Sequence, residues 1–386
     1  MKRFKNQLDK KYSNNNSGNI SPPSKINKKN MKLYVEKIDK KFSNINNDPI
    51  INNVLNNLQE QNLYIDKEKF KINKEIKNLQ DLIDLINDNP IIQNVDYNFD
   101  LKKLHYIKNE LELLNNMIGL NDIKTNILNQ ILFYIQNFHL KTGINYMHTV
   151  IYGPPGTGKT EIAKIIGKIF SKLDILKNGT FRKVVRSDLI AGYLGQTALK
   201  TTKVIDEALG GVLFIDEAYA LGNSEKRDSF AKECIDTLCE ALSNHKDKLM
   251  VIIAGYEEEL NSCFFNFNPG LKSRFPWILK TDHSSPEQLR EIFIKKIKEI
   301  NWDIKKDNVK IDFFKENKDL FKYYGRDIEI LVMKTTISHS KRVLCLDEDE
   351  KTILTNKDIE NGLELFKKHL DDKKEDDSRI IFAMYN

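Results

Sequence analysis

The chain reads as an α/β protein in which a parallel sheet covered by helices is followed by a separate all-helical domain. Three observations predict this. Short apolar strands alternate with amphipathic helices between about residues 117 and 280. Two of the strands, Val212-Leu-Phe-Ile215 and Leu249-Met-Val-Ile-Ile-Ala254, have no polar interruption, as strands buried on both faces of a parallel sheet require. After Ser285 the apolar period is helical and no convincing strand appears.

In chain order, residues 1–50 carry 12 Lys/Arg against 4 Asp/Glu and are rich in Asn and Ser, as in Ser13-Asn-Asn-Asn-Ser-Gly18. So polar a stretch buries too little apolar surface to offset its ordering entropy, and a disordered basic tail is expected. Its charge suits weak contact with nucleic acid or an anionic surface, or a merely solvated tail. Residues 51–110 read as a helical extension. Apolar positions recur at helical spacing in Ile51, Val54, Leu55 and Leu58, then in Ile76, Leu79, Leu82, Ile83 and Ile86, before Asn89-Pro90 interrupts; Lys102–Leu114 is a further helix. Residues 111–283 form the α/β domain. A helix over Ile123–Gly143 leads to the strand Thr149–Tyr152, a glycine loop and the helix Glu161–Phe170. The strand Arg182–Arg186, the helix Leu199–Leu209, the strand Val212–Ile215, the helix Ser229–Ser243 and the strand Leu249–Ala254 follow. In the helical domain, 284–370, Ser285 is an N-cap with Pro286 at N1 for Glu287–Ile300. Helices near Asp312–Phe321, Arg326–Val343 and Asn356–Leu370 complete it, the last capped by Thr355. Residues 371–386 read as a frayed acidic tail.

With 386 residues, 40% of them apolar, the chain has room for two or three domains. No apolar run approaches the roughly 20 residues of a membrane span, and no apolar segment follows the basic N-terminus as in a secretory signal. Cys234, Cys239, Cys263 and Cys345 lack metal-ligand spacing and read as reduced thiols. A cytoplasmic protein is expected, with the nucleus left open. The first 50 residues alone carry a balance of +8 against a whole-chain charge of +6, so the folded body is near neutral. That composition argues against a body built to grip nucleic acid over a broad basic face.

Gly153-Pro154-Pro155-Gly156-Thr157-Gly158-Lys159-Thr160 fits G-x-x-x-x-G-K-[ST], the loop that cradles nucleotide phosphates. Its glycines let the backbone turn its N–H groups onto phosphate oxygens, and the helix that follows adds its positive N-terminal dipole. Lys159 reaches the β- and γ-phosphates, and the Thr160 hydroxyl suits Mg²⁺. About 55 residues later, a buried strand ends in Asp216-Glu217, which places two carboxylates at the sheet's carboxyl edge. Asp216 is the candidate for the Mg²⁺ shell and Glu217 for polarising the attacking water. ATP with Mg²⁺ is the expected ligand, and hydrolysis the expected reaction.

Several segments together carry a family resemblance. Met117-Ile-Gly-Leu120, the phosphate loop, Ala191-Gly-Tyr-Leu-Gly-Gln-Thr197, Gly210-Gly-Val-Leu-Phe-Ile-Asp-Glu-Ala-Tyr219, Ile253-Ala-Gly-Tyr256 and Asn268-Pro-Gly-Leu-Lys-Ser-Arg-Phe275 resemble the CbxX/CfxQ branch of AAA+ ATPases. That branch includes the red-type Rubisco activases, and the likeness covers about residues 110–370. It implies an AAA+ P-loop core with a C-terminal helical lid. By resemblance, Ile118 and Leu120 would flank the adenine, with Gly119 allowing close approach. Arg274 would be an arginine finger reaching a neighbouring subunit's γ-phosphate. Arg326, in Gly325-Arg-Asp327, would be the lid's sensor arginine. Tyr256 stands where many AAA+ proteins place a sensor asparagine. Tyr193, Leu194 and Gly195 would form a pore loop whose aromatic side chain grips peptide.

The leading expectation is an ATP-hydrolysing homo-oligomeric ring, a hexamer, that remodels a protein partner through its pore. Two others stay open at the level of sequence: a DNA-directed AAA+ ATPase, and a scaffold that uses ATP only as an assembly ligand.

Overall fold

A computed structural model describes residues 68–384 apart from 93–94, 143–145, 194, 223–227, 282–283, 305–308 and 348–350. The basic tail 1–50, the helix expected around 51–58 and Leu194 lie outside the described residues. The described residues divide into two compact units, one holding 68–73, 91–92 and 95–98 and the other holding 74–90 and those from 99 on.

In the first unit, β1 (Glu68–Phe70) and β2 (Val95–Tyr97) pair in parallel, with the Phe70 and Tyr97 rings edge-on at 5.9 Å. The Asn98 side chain closes the pair, accepting from Ile72 N–H at 3.0 Å and donating to Ile72 O at 3.2 Å. Runs of three residues carry no readable period, so this ladder was invisible in the sequence.

In the second unit, α1 (Leu79–Asp88) opens with a capping box between Asn78 and Asp81. α2 (Leu101–Asn115), capped by Asp100, buries Leu104, Ile107, Leu111 and Leu114 and runs through residue 110. Its Glu110, 6% exposed, pairs with Lys172 at 2.6 Å. The helix expected over Ile123–Gly143 is two, α3 (Asn121–Ile135) and α4 (Phe138–Thr142). Asn137 breaks it at φ +57°, a left-handed conformation that asparagine adopts more readily than most residues.

The sheet holds β3 (Thr149–Tyr152), β4 (Phe181–Val184), β5 (Val212–Ile215), β6 (Met250–Gly255) and β7 (Trp277–Lys280), all parallel, in the order β4-β5-β6-β3-β7. β7 escaped the sequence reading because it is a four-residue edge strand with Ile278 and Lys280 exposed. Alternate side chains point to opposite faces. Leu213, Ile215, Val251 and Ile253 share one core with α6 (Thr197–Ala208) and α7 (Ser229–Asn244). On the other face Val212 meets α5 (Lys159–Lys172) so closely that a methyl on Gly167 would come within 2.9 Å of it.

The lid comprises α8 (Pro286–Glu299), α9 (Ile311–Glu316), α10 (Gly325–Val343) and α11 (Asn356–Met384) around Phe293, Phe314, Phe321, Leu331 and Phe366. Ser285 and Gln288 form the capping box of α8. The lid is not wholly helical, because β8 (Asp303–Ile304) and β9 (Ile353–Leu354) form a two-residue parallel ladder. The helix expected over Asp312–Phe321 ends at Glu316 and gives way to a tight 3₁₀ turn over Lys318–Leu320. The acidic segment expected to fray instead continues α11 to Met384, since it contains neither Gly nor Pro and its Lys and Glu are good helix formers. Asp358 ties α11 to α10 by accepting from Arg342 Nε and Nη2 at 3.0 Å each, and it also accepts from the Thr355 N–H at 2.9 Å. Burial alone would raise its pKa, but these donors hold the carboxyl well below the usual range. No helix among the described residues is long and apolar enough to cross a membrane.

Candidate active site

Strand register brings the candidate residues together. Tyr152 lies opposite Gly255 and Ile215 opposite Ile253, so β3, β5 and β6 end side by side. The residues that follow them, Gly153, Asp216 and Tyr256, therefore share one edge of the sheet, where open α/β folds bind ligands.

The loop after β3 is shaped by glycine. Gly156 has φ +79°, and a Cβ there would fall 2.0 Å from Tyr323 O, so the lid's approach to the loop requires glycine. The Thr157 hydroxyl donates to Pro154 O at 2.8 Å and accepts from Thr281 Oγ1 at 3.0 Å, which braces the loop from β7. Lys159 Nζ donates to Gly153 O at 2.9 Å and Pro154 O at 2.7 Å. Burial pushes the Lys159 pKa down, the charges of Asp216 and Glu217 push it back up, and Arg326 adds to the lowering. Four expected site charges thus act on one another at this point.

A cavity of about 770 Å³ opens over the loop, within the size range of ligand pockets. Ile118 and Leu120 are among the residues that line it, as are Met117 and Ile292. Gly153, Pro155, Gly156, Thr157, Gly158, Lys159 and Thr160 of the loop line it too, as do Asp216, Glu217, Tyr256 and Arg326. Gly119 and Pro154 are not among the lining residues; a Cβ on Gly119 would strike the Gln288 amide at 2.6 Å.

Asp216 follows β5, and its backbone N–H donates to Val184 O at 3.1 Å. Its Oδ2 lies 2.7 Å from Lys183 Nζ. Glu217 sits at φ +51°, a left-handed conformation that costs a non-glycine residue about 1 kcal/mol or more and collects at functional sites. The donor set fits Mg²⁺: the Thr160 hydroxyl and the Asp216 carboxylate are hard oxygens on one cavity, and Asp216 already accepts a cation.

Arg326 stands at the start of α10. The acids that compete for it there are engaged, with Asp327 accepting from Tyr323 N–H at 2.7 Å and Glu329 pairing with Lys296 at 2.9 Å. Arg274 is placed apart from the cavity. Its Nε donates to Ser243 Oγ at 2.7 Å and its Nη1 to Gly270 O at 2.5 Å, at the C-terminal end of α7. Tyr193 is 75% exposed, and the loop turns at Gly195 with φ +78°.

Lys183, Thr281 and Gln288 escaped the sequence reading. Nothing local marks them, since each reaches the site from a strand or helix whose neighbours are set only by the sheet order and the lid packing.

The family model described as "ATPase family associated with various cellular activities (AAA)" matches residues 149–282. A cfxQ-like protein, R730, of Acanthamoeba polyphaga mimivirus is 39% identical over 273 residues, 70% of this chain and 67% of the relative. Stage V sporulation protein K of Bacillus subtilis is 37% identical over 196 residues, 50% of this chain and 60% of the relative. ESX-1 secretion system protein EccA1 of Mycobacterium tuberculosis is 46% identical over 147 residues, 38% of this chain but only 26% of the relative. The chain thus spans two thirds of the first of these relatives and less of the other two. The phosphate loop, the paired carboxylates, the five-stranded parallel sheet and the mimiviral relative agree, and the chain belongs to the CbxX/CfxQ branch of the AAA+ ATPases, P-loop enzymes that bind and hydrolyse ATP.

Proposed function

We propose that this chain is a subunit of a homo-hexameric ring that spends ATP on remodelling a protein partner in the cytoplasm. The observation that carries the reading is the separation of two arginines. Arg326 lies in the nucleotide cavity of its own chain, whereas Arg274 lies outside it, on a turn beyond the end of α7. A finger that cannot serve its own loop suits a neighbour's.

Bound ATP would supply the bond to be cleaved, and Mg²⁺ would supply positive charge that offsets the charge of its phosphates. The loop N–H groups and Lys159 would bind the phosphates, Thr160 and Asp216 would hold the metal, and Ile118 and Leu120, which line the cavity, would flank the base with Gly119 allowing the close approach. Glu217 accepts a proton from the attacking water, and Tyr256 stands beside it at the end of β6. Arg274 of one subunit completes the site of the next. Arg326 reports the γ-phosphate to the lid, whose α10 begins against Gly156. Closure of the lid moves Tyr193, Leu194 and Gly195, and the exposed Tyr193 ring grips an extended peptide.

The test is Glu217→Gln. Turnover is expected to fall by about 10²–10⁴-fold, the usual worth of a general base, while ATP stays bound. In ATP this variant should hold client polypeptide on the ring. A variant that retains ATP yet captures no polypeptide, or captures DNA in its place, overturns the remodelling reading.

A further inference from the structure

Lys183 reaches Asp216 from the neighbouring strand. In the β4–β5 register Lys183 stands opposite Phe214 and Val184 opposite Ile215. The Lys183 side chain therefore runs along the sheet, over the Phe214 ring at 5.9 Å, towards the acid beyond the end of β5. It ends with Nζ 2.7 Å from Asp216 Oδ2. The carboxylate is the more sheltered partner, with 22% of its side chain exposed against 47% for the lysine. An ammonium has three donors and no acceptor, so it can neither ligate a metal nor share a carboxylate oxygen with one without like-charge repulsion.

We propose that Lys183 is a displaceable counter-ion of Asp216, which neutralises the carboxylate in the metal-free site and must withdraw when Mg²⁺ arrives. Lys183 thereby sets the Mg²⁺ concentration at which nucleotide binds tightly. The proposal rests on the assignment of the metal to Asp216. The length and flexibility of lysine suit this role, because a half-exposed side chain can return its ammonium to water at little cost. A neutral side chain at position 183 removes the competitor without touching the phosphate loop.

The experiment titrates Mg²⁺ against binding of a fluorescent, non-hydrolysable ATP analogue to the full chain and reads the midpoint. Lys183→Met is expected to lower the midpoint about three- to five-fold, the scale of a partly exposed ion pair. Lys183→Arg keeps the charge and should stay within about two-fold of the parent, at the weak end of partly exposed ion pairs. Asp216→Asn should raise the midpoint, and adding Lys183→Met to it should produce no further shift. If Asp216→Asn raises the midpoint but Lys183→Met leaves it unchanged or raises it, the counter-ion role is wrong and the lysine instead orients the ligand. If Asp216→Asn itself moves nothing, the metal assignment fails and takes this inference with it.

Discussion

His148, which precedes β3, joins three parts of the α/β domain through one imidazole. It is fully buried, its Nδ1 accepts from Val251 N–H at 3.1 Å, and its Nε2 faces Leu242 O at 3.1 Å. These partners specify the neutral tautomer protonated at Nε2. Burial pushes its pKa down to about 4 and the nearby Arg274 charge pushes the same way, against the Leu242 hydrogen bond. The unfolded chain, with an ordinary value near 6.5, binds this proton first as the pH falls. The stability tied to neutral His148 is therefore intact above about pH 6.5 and is lost as the pH falls towards 4. Denaturant unfolding of the wild type should show on the order of 2–3 kcal/mol lost through this group across that window. His148→Gln should flatten the slope; an unchanged slope would assign the acid sensitivity elsewhere. A buried histidine of this kind is not legible in the sequence, because Leu242 and Val251 lie 94 and 103 residues away along the chain.

At the scale of elements, the phosphate loop packs directly against the start of α10 along a seam. A methyl on Gly156 would fall 2.0 Å from Tyr323 O and would itself sit at φ +79°, while one on Gly325 would fall 2.8 Å from Gly156 O. Gly156→Ala should therefore push the lid from the loop and weaken ATP binding about ten-fold or more, since left-handed strain alone costs about 1–2 kcal/mol. Gly192→Ala, where an added methyl meets nothing within 4 Å, should leave affinity unchanged. Equal affinities for the two variants, measured by nucleotide titration, would remove the seam from the binding mechanism. The same scale explains which elements were readable. β5 and β6 announce themselves because both faces are buried and every residue is apolar or small. β7 shows only the Trp-Ile-Leu-Lys of an edge strand, and the β1–β2 and β8–β9 ladders are too short to have a period. Continuous apolar periodicity across Asn137 concealed the break between α3 and α4, which a single left-handed residue makes.

At the scale of the whole molecule, Arg274 stands outside the cavity of its own chain, and the proposed shared site makes activity depend on assembly. Arg274→Ala should lower turnover about 10³-fold, within the range for arginine fingers, and Lys159→Ala should abolish nucleotide binding. Mixing the two inactive proteins should restore part of the ATPase activity, because some interfaces then join an intact Lys159 to an intact Arg274. A mixture no more active than either component would sink the shared site. The sequence by itself determined the nucleotide chemistry, because the phosphate loop and Asp216-Glu217 are local patterns whose spacing suffices to shape them. It also determined the α/β-then-helical order, because burial writes apolar periodicity into each element. Only the tertiary structure decided that Lys183 meets Asp216, that Thr281 braces Thr157, that Gly156 abuts the lid and that Arg274 stands apart from its own loop. Those contacts depend on strand order and lid packing, which join residues distant in the chain through many small burial terms that no local spacing records.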